Sequence, residues 1–136
     1  MIVQASCVAI GERAILIEGV PASGKSSLAL SLIDRGAVLV GDDGVMLERD
    51  GNRIMASPPP NIRGLLEIRN VGLVPFPVTK APLALIIRID KSAPRHRDMP
   101  ENRDISGCQI PLIPLYPAGA IMALRAEQAL RIYGLP

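Results

Sequence analysis

Residues 19–26 are Gly19-Val20-Pro21-Ala22-Ser23-Gly24-Lys25-Ser26, a Gly-x-x-x-x-Gly-Lys-Ser stretch that decides the fold. A loop that wraps a phosphate must turn successive backbone N–H groups inward, which requires positions without a Cβ clash, here Gly19 and Gly24. Lys25 adds a mobile cation for the outer phosphates, and Ser26 offers a hydroxyl to a magnesium ion. The stretch therefore predicts a loop that binds a nucleoside triphosphate.

The sequence on both sides of the loop supports this prediction. An apolar, strand-like run, Ala14-Ile15-Leu16-Ile17, precedes the loop, and helical spacing of apolar residues follows over Ser27–Arg35. Gly36 then provides a C-cap signal. The helix is expected to begin near Lys25 and to point its positive dipole end at the anion. An ordinary glycine turn between a strand and a helix is the alternative, which this context disfavours.

Composition limits the class of protein. With 136 residues, 49% of them hydrophobic and 21% charged, the chain is predicted to form one globular domain over residues 1–136. Only one Phe and two Tyr are present, so the core must be aliphatic and base stacking on nucleic acid is poorly supported. The net charge of +2 comes from scattered residues, which also argues against a nucleic-acid partner.

Cysteine usage and the absence of long apolar runs point to the cytoplasm. Cys7 and Cys108 are far apart in sequence and lack a metal-like spacing, so we expect free buried thiols. The first residues carry no charged leader region, and no apolar run approaches the roughly twenty residues of a membrane span. We therefore expect a cytoplasmic protein without a membrane partner.

Hydrophobic periodicity predicts an α/β fold with a mixed central sheet, a helix after the phosphate loop and a C-terminal helix. Asp50-Gly51 marks the turn of one predicted hairpin. The predicted strands are Ile2–Ile10, Ala14–Glu18, Ala37–Val40, Val45–Glu48, Arg53–Ala56, Leu65–Arg69 and Leu83–Ile89, and the closing helix is Ala118–Tyr133.

An acidic pair, Asp42-Asp43, ends the strand after the predicted helix. A carboxylate at this place can hold magnesium, and a second can accept a proton from an attacking hydroxyl. The two side chains alternate sides if the strand continues, so only one would face the phosphates squarely. Two turn residues that bind backbone N–H groups are the alternative.

Residues 91–109 are polar and irregular, and we expect a flexible loop there. It is either a mobile lid that brings an arginine to the transferring phosphoryl group or a solvated loop. Arg95, Arg97 and Arg103 are the candidate arginines, whereas His96 is expected to be an ordinary loop histidine.

Three segments together resemble the catalytic domain of bacterial HPr kinase/phosphorylase. They are the phosphate loop, the stretch from Ser27 to Asp43 with its double Asp, and Leu66-Glu67-Ile68-Arg69-Asn70-Val71-Gly72. The resemblance covers about residues 4–73. The short length is similar to the form of some proteobacteria that lacks the amino-terminal domain.

The resemblance implies a kinase that uses ATP and Mg²⁺ to phosphorylate a serine of HPr, the phosphocarrier protein of a phosphotransferase system. It implies that residues 19–27, including Ser27, bind the nucleotide and that Asp43 accepts the proton. The catalytic residues are then Lys25, Asp43 and Arg97, and the metal residues are Ser26, Asp42 and Glu67.

The chain departs from the family pattern at four positions. Gln4 stands where the family has a catalytic histidine, and a glutamine side chain is not a general base at neutral pH. Ser27 replaces an acidic residue, Asn70 a glycine, and Ala120 the arginine of the phosphorolysis loop. These departures count against phosphorolysis and raise the alternative of reduced kinase activity.

Two other functions stay open on the sequence. One is a degenerate regulator that binds ATP without phosphoryl transfer, and the other is a small-molecule kinase or NTPase that uses the same loop. Whether the chain forms a homo-oligomer also stays open.

Overall fold

The chain folds into short strands that are separated by tight turns, with one helix early and one helix late in the sequence. The structure, a computed structural model, describes residues 1–60, 64–96 and 98–136. The strands are β1 (Ile2–Val3), β2 (Ser6–Ile10), β3 (Arg13–Glu18), β4 (Val38–Gly41), β5 (Val45–Asp50), β6 (Arg53–Ser57), β7 (Leu65–Ile68), β8 (Gly72–Pro75), β9 (Ala81–Ile89), β10 (Glu101–Ile105) and β11 (Cys108–Leu115). The helices are α1 (Lys25–Asp34) and α2 (Ile121–Tyr133).

Strand β9 is the centre of the main sheet. It pairs in parallel with β3 on one edge, while its other edge pairs with β6 near Ala81 and with β11 from Ile86 onward. The main path runs β1-β5-β6-β9-β3-β2-β4, with β10 attached through β11, and β7 and β8 form a separate hairpin. Parallel and antiparallel pairs therefore occur in one mixed sheet.

The sheet is covered on both faces by aliphatic side chains. Ile15 and Ile17 of β3 face a cluster that includes residues of both helices, whereas Leu16 faces a second cluster with Val45 and Ile54. Because successive strand residues point to opposite faces, a strand buried on both sides is a continuous apolar run. This explains why β3 and β9 were recognisable from sequence.

The predicted α/β class, the mixed sheet, the helix after the loop and the C-terminal helix are confirmed. The predicted strand over residues 2–10 is interrupted at residues 4–5, so β1 and β2 are separate. The C-terminal helix begins three residues later than predicted, at Ile121, after Gly119 with its left-handed φ of 65°. The predicted hairpin around Asp50-Gly51 is present as β5 and β6.

The prediction of a flexible loop over residues 91–109 was wrong for its second half. Residues 101–105 form β10, which pairs with β11. Pro111 and Pro114 obscured β11 in the sequence, because proline lacks the N–H that a ladder needs. Pro111 lies before the pairing with β9 begins, and Pro114 lies after the pairing with β10 ends. Each proline therefore has one side on which no ladder hydrogen bond is required.

Both cysteines are free and buried, as predicted. Burial raises the pKa of the Cys7 thiol well above its usual range, so this thiol stays protonated. In the part of the chain that the structure describes, no helix is both long and apolar enough to cross a bilayer.

Candidate active site

One cleft of about 770 Å³ joins the phosphate loop to three other parts of the chain. Its lining residues come from the start of β2, from the loop and the first turn of α1, from the turn after β4, and from β7 with its following turn. The predicted residues in this lining are Gly19, Pro21, Ala22, Gly24, Lys25, Ser26, Ser27, Asp42, Asp43 and Glu67. Segments that are far apart in sequence thus converge at the loop that is predicted to bind the phosphates.

Two glycines shape the loop for different reasons. A Cβ on Gly19 would lie 2.5 Å from Ser23 Oγ and 3.3 Å from Ser23 Cβ, so a larger residue would force the Ser23 side chain to move. Gly24 instead has open space around it but a left-handed φ of 105°, which side chains other than hydrogen disfavour. Among the described residues, Ser23 Oγ is the one buried side-chain oxygen or nitrogen without a hydrogen-bond partner. Ser23 is not among the residues that line the cleft, so this hydroxyl is not assigned to the ligand.

The first turn of α1 presents positive charge to the cleft. Gly24 caps the helix without a side-chain hydrogen bond, and no acidic residue lies in the first turn, so the cap leaves the leading amides to an anion. Lys25 Nζ donates to the carbonyl oxygens of Gly19 at 3.0 Å and Val20 at 3.1 Å. The ammonium group is therefore held across the loop.

Asp42 connects three elements around the cleft. Its Oδ1 accepts hydrogen bonds from Ser26 Oγ at 2.8 Å and from Ser6 Oγ at 2.7 Å, and its Oδ2 accepts from the backbone amide of Glu67 at 3.1 Å. Because Ser26 donates its proton to Asp42, its oxygen lone pairs stay available for a cation. The predicted metal residues Ser26, Asp42 and Glu67 are thus brought together.

Backbone strain concentrates at the same cleft. The non-glycine residues with left-handed φ in the described chain are Ala22 at 64°, Asp43 at 58°, Asn70 at 70° and Ser106 at 50°. The first three line the cleft. Such conformations cost free energy and tend to gather at functional sites, although Asn and Asp tolerate them best. Asp43 is therefore held exposed in the turn, while Asp42 turns toward α1.

The β7–β8 hairpin supplies the wall opposite the loop. Leu66 is fully buried in the cluster that includes α1, and because side chains alternate along a strand, Glu67 points the other way, into the cleft. Arg69 and Asn70, in the turn after β7, also line the cleft. The hydrophobic anchor at Leu66 thus fixes the polar residues around it.

The two candidate arginines of the polar segment that the structure describes, Arg95 and Arg103, do not line the cleft. Arg97 lies outside the described residues, and Arg95 is exposed and absent from the described lining. Arg103 makes a bidentate ion pair with Glu18, at 2.8 and 2.7 Å. This hydrogen bonding to Glu18 raises the pKa of Arg103. Arg103 is therefore bound to the residue that precedes Gly19, beside the loop.

Sequence reasoning did not assign two cleft residues. Ser6 precedes no recognisable motif, although its position two residues after Gln4 places both on one face of an extended segment. Arg69 is a cleft arginine whose signal was its spacing of two from Glu67. Ser6 depends on which face of a strand turns inward, and Arg69 depends on the turn after β7, and a short pattern determines neither.

The cleft needs an added cation to hold a nucleoside triphosphate. Its described lining carries the cationic Lys25 and Arg69 and the anionic Asp42, Asp43 and Glu67. Within the described residues, no group of three or more His, Cys, Asp and Glu side chains is arranged to hold a metal by itself. A magnesium ion shared between one or two protein oxygens and phosphate oxygens is compatible with both facts.

Comparison with known proteins identifies the family to which this sequence is similar. Residues 1–79 match the family model described as HPr Serine kinase C-terminal domain. The HPr kinase/phosphorylase of Chromobacterium violaceum is 34% identical over 90% of this chain and 44% of its own length. That of Chloroherpeton thalassium is 31% identical over 85% of this chain and 39% of its own length. The chain therefore spans less than half of these relatives.

A solved structure extends the similarity to the whole fold. The HPr(Ser) kinase/phosphatase from Coxiella burnetii superimposes with a TM-score of 0.84 at 28% identity, over 96% of this chain and 94% of that one. The sequence comparisons and the fold comparison point to the same family of proteins. The chain belongs to the HPr serine kinase family.

Proposed function

We propose that this chain is an ATP- and Mg²⁺-dependent serine kinase that acts on an HPr-type phosphocarrier protein. The observation that carries the proposal is the single cleft in which the phosphate loop, Asp42, Asp43 and Glu67 converge. Membership of the HPr serine kinase family supports the choice of HPr as the acceptor. Phosphorolysis is not part of the proposal, because Ala120 stands in place of the family arginine.

The phosphates are bound by the loop and by the first turn of α1. The amides after Gly19 and Gly24 and the orphan N–H groups of α1 donate to phosphate oxygens, and the Lys25 ammonium moves from its loop carbonyls to the outer phosphates. These groups bind the negative charge of the nucleotide.

Ser26 and Asp42 would hold the metal, with Glu67 beside them. When bound, magnesium supplies charge neutralisation at the phosphate oxygens. The Ser26 hydroxyl presents its lone pairs to the ion while it donates to Asp42 at 2.8 Å. Orienting this one hydroxyl is the contribution of Asp42 that the geometry supports most directly.

Asp43 orients the acceptor serine and takes its proton. The serine oxygen forms a bond to the γ-phosphorus, the bond from that phosphorus to the bridging oxygen breaks, and ADP leaves. Asp43 is exposed and lines the cleft, so an acceptor hydroxyl can approach it from solvent. Arg97 stays a prediction for neutralising developing charge, and Arg69 is the described arginine placed at the cleft.

The proposal is tested by incubating the purified chain with labelled ATP, Mg²⁺ and the HPr homologues of its own organism. We expect label on a serine of HPr, and none with Lys25→Met. Asp43→Asn should bind ATP normally and transfer at least about a hundredfold more slowly, because a positioned base typically contributes this much. Asp34→Asn, on the exposed end of α1, is the matched control. Unlabelled HPr despite measurable nucleotide binding rejects the kinase assignment.

A regulator that binds ATP without transfer is the second candidate, and Gln4 is the observation that favours it. Gln4 lines the cleft where the family has a histidine, and its amide cannot take up a proton at neutral pH. A regulator would bind ATP with Mg²⁺ and leave HPr unlabelled. Transfer gained on Gln4→His would assign the loss to this position.

A further inference from the structure

Ser6 is a buried hydroxyl at the cleft that the mechanism above does not use. It is 1% exposed, and it is the buried polar residue of the described chain. Its Oγ donates to Asp42 Oδ1 at 2.7 Å, the same oxygen that accepts from Ser26. A buried hydroxyl aimed at a carboxylate in this way holds the carboxylate in one orientation.

A local irregularity in the sheet brings Ser6 and Asp42 face to face. In the β2–β4 pairing, Val8 is opposite Leu39 but Cys7 is opposite Gly41, so the register shifts by one residue and Val40 is extra. Continuing from Cys7 and Gly41, the next cross-strand neighbours are Ser6 and Asp42. Cross-strand neighbours lie on the same face of a sheet.

Without this β-bulge, Asp42 would point the wrong way. An unshifted register would place Asp42 opposite Ala5, whose side chain is buried in the cluster on the sheet face away from α1. A one-residue slip moves every side chain of a strand to the other face. Bulges are often found beside active sites, where they re-aim a side chain. Here the bulge turns Asp42 toward Ser26.

We propose that Ser6 is a positioning residue that fixes the Asp42 carboxylate, and through it the Ser26 hydroxyl, for a nucleotide-bound divalent cation. The inference rests on the proposed function for the identity of the ligand. Ser6 does not touch the cation itself. It acts in the shell behind the ligands, where removal of a hydrogen-bond partner typically weakens metal binding by about tenfold or more.

Calorimetry of ATP binding in Mg²⁺ and in EDTA tests the inference, because the ratio of the two affinities isolates the contribution of the cation. Ser6→Ala should reduce this ratio about tenfold and leave the affinity in EDTA unchanged. Ser31→Ala is the matched control, since Ser31 Oγ bonds only back to the carbonyl of Ser27 within α1. A full magnesium gain in Ser6→Ala overturns the inference, even if the variant melts at a lower temperature.

Two further variants keep the test decisive. Ser6→Cys fills similar space with a weak donor and should show the same loss, which covers the case in which Ser6→Ala does not fold. In an Asp42→Ala background, which leaves Ser6 without an acceptor, Ser6→Ala should cause no additional loss, because the two residues act as one unit. Losses that simply add would contradict an action through Asp42.

The calorimetry of Ser6→Ala tests the role of Ser6 independently of whether HPr is phosphorylated. If the wild-type protein gains affinity with Mg²⁺ and Ser6→Ala loses that gain, the inference stands even when HPr is not labelled. If the wild-type protein shows no magnesium gain, the inference is overturned whatever HPr does.

Discussion

Gly24 and Gly36 lie at opposite ends of α1 and have nearly the same φ angle. A comparison of the two therefore separates the cost of the left-handed conformation from any effect on ligand binding. Their φ angles are 105° and 108°, and neither has an atom within 4 Å of an added Cβ. Alanine at either position should therefore cost about 1–2 kcal/mol of unfolding free energy. Only Gly24→Ala should also weaken ATP binding, by about tenfold or more, because it moves amides that bind phosphate.

Denaturant unfolding and calorimetry of both variants check this expectation. Equal loss of ATP affinity in Gly24→Ala and Gly36→Ala would show that the loop at Gly24 has no special part in binding.

The ion pair between Arg103 and Glu18 allows a prediction of how stability depends on pH. Its pKa is raised by Glu18, so the stabilisation from its charge is fully present below the pKa of an unfolded arginine and is lost only above that value. The pair is partly exposed, so Arg103→Lys, which loses the bidentate geometry, should cost no more than about 1 kcal/mol.

The loss of unfolding free energy in Arg103→Lys should be the same between about pH 6 and pH 9, because arginine does not titrate in this range. Urea unfolding of the wild-type protein and Arg103→Lys at both pH values measures it, with Arg53→Lys as a control in the exposed pair with Asp50. If the difference in unfolding free energy between the wild-type protein and Arg103→Lys grows toward pH 9, the stabilisation does not come from the charge of the arginine.

At the scale of elements, the β7–β8 hairpin packs on the core through the buried Leu66, with Ile68 partly buried against the same cluster. Leu66 is fully buried against the cluster that contains α1, whereas Leu65 is 40% exposed. Leu66→Ala should cost about 2–5 kcal/mol of unfolding free energy, because it leaves a cavity in the core. The substitution should also weaken magnesium-dependent ATP binding. The backbone amide of the neighbouring Glu67 donates a hydrogen bond to Asp42, and a displaced hairpin would lose it.

Leu65→Ala, which removes the same atoms from an exposed site, is the matched control. Its unfolding free energy and ATP affinity should stay near those of the wild-type protein. An equal effect of the two substitutions would mean that the hairpin does not depend on Leu66.

The elements also show how far the sequence could predict the structure. The phosphate loop, α1 and the β5–β6 hairpin depend on local chemistry, namely glycine, helical spacing and an Asp-Gly turn, and they were predicted. Strands β10 and β11 were missed because the two prolines of β11 are tolerated only through a stagger between neighbours that are distant in sequence. The direction of Asp42 depends on a bulge in the β2–β4 pairing, which no local pattern reveals.

In the whole molecule, the site residues likewise separate into those that depend on local sequence and those that depend on the assembled fold. Residues of the loop and the acidic pair could be predicted because their chemistry is concentrated in short segments. Ser6 and Arg69 could not, because each becomes a cleft residue only when the sheet and the hairpin are assembled around α1. Arg103 was one candidate for the phosphoryl group, yet the assembled sheet pairs it with Glu18.

The whole-molecule account also predicts how ATP consumption depends on the acceptor. A kinase that positions the acceptor hydroxyl at Asp43 should transfer to HPr much faster than to water, because catalysis of this kind is mostly positioning and charge neutralisation. A metabolite and water are the alternative acceptors, and the ratio of ADP to phosphoserine distinguishes them from HPr.

The most direct test of the central claim is a time course that counts ADP formed and phosphoserine formed on HPr in the same reaction, with Mg²⁺ and with HPr present or omitted. The account predicts one phosphoserine for each ADP, and almost no ADP when HPr is omitted. ADP formed at the same rate without HPr would contradict it in favour of an NTPase or small-molecule kinase. Bound ATP with neither product would contradict it in favour of a regulator.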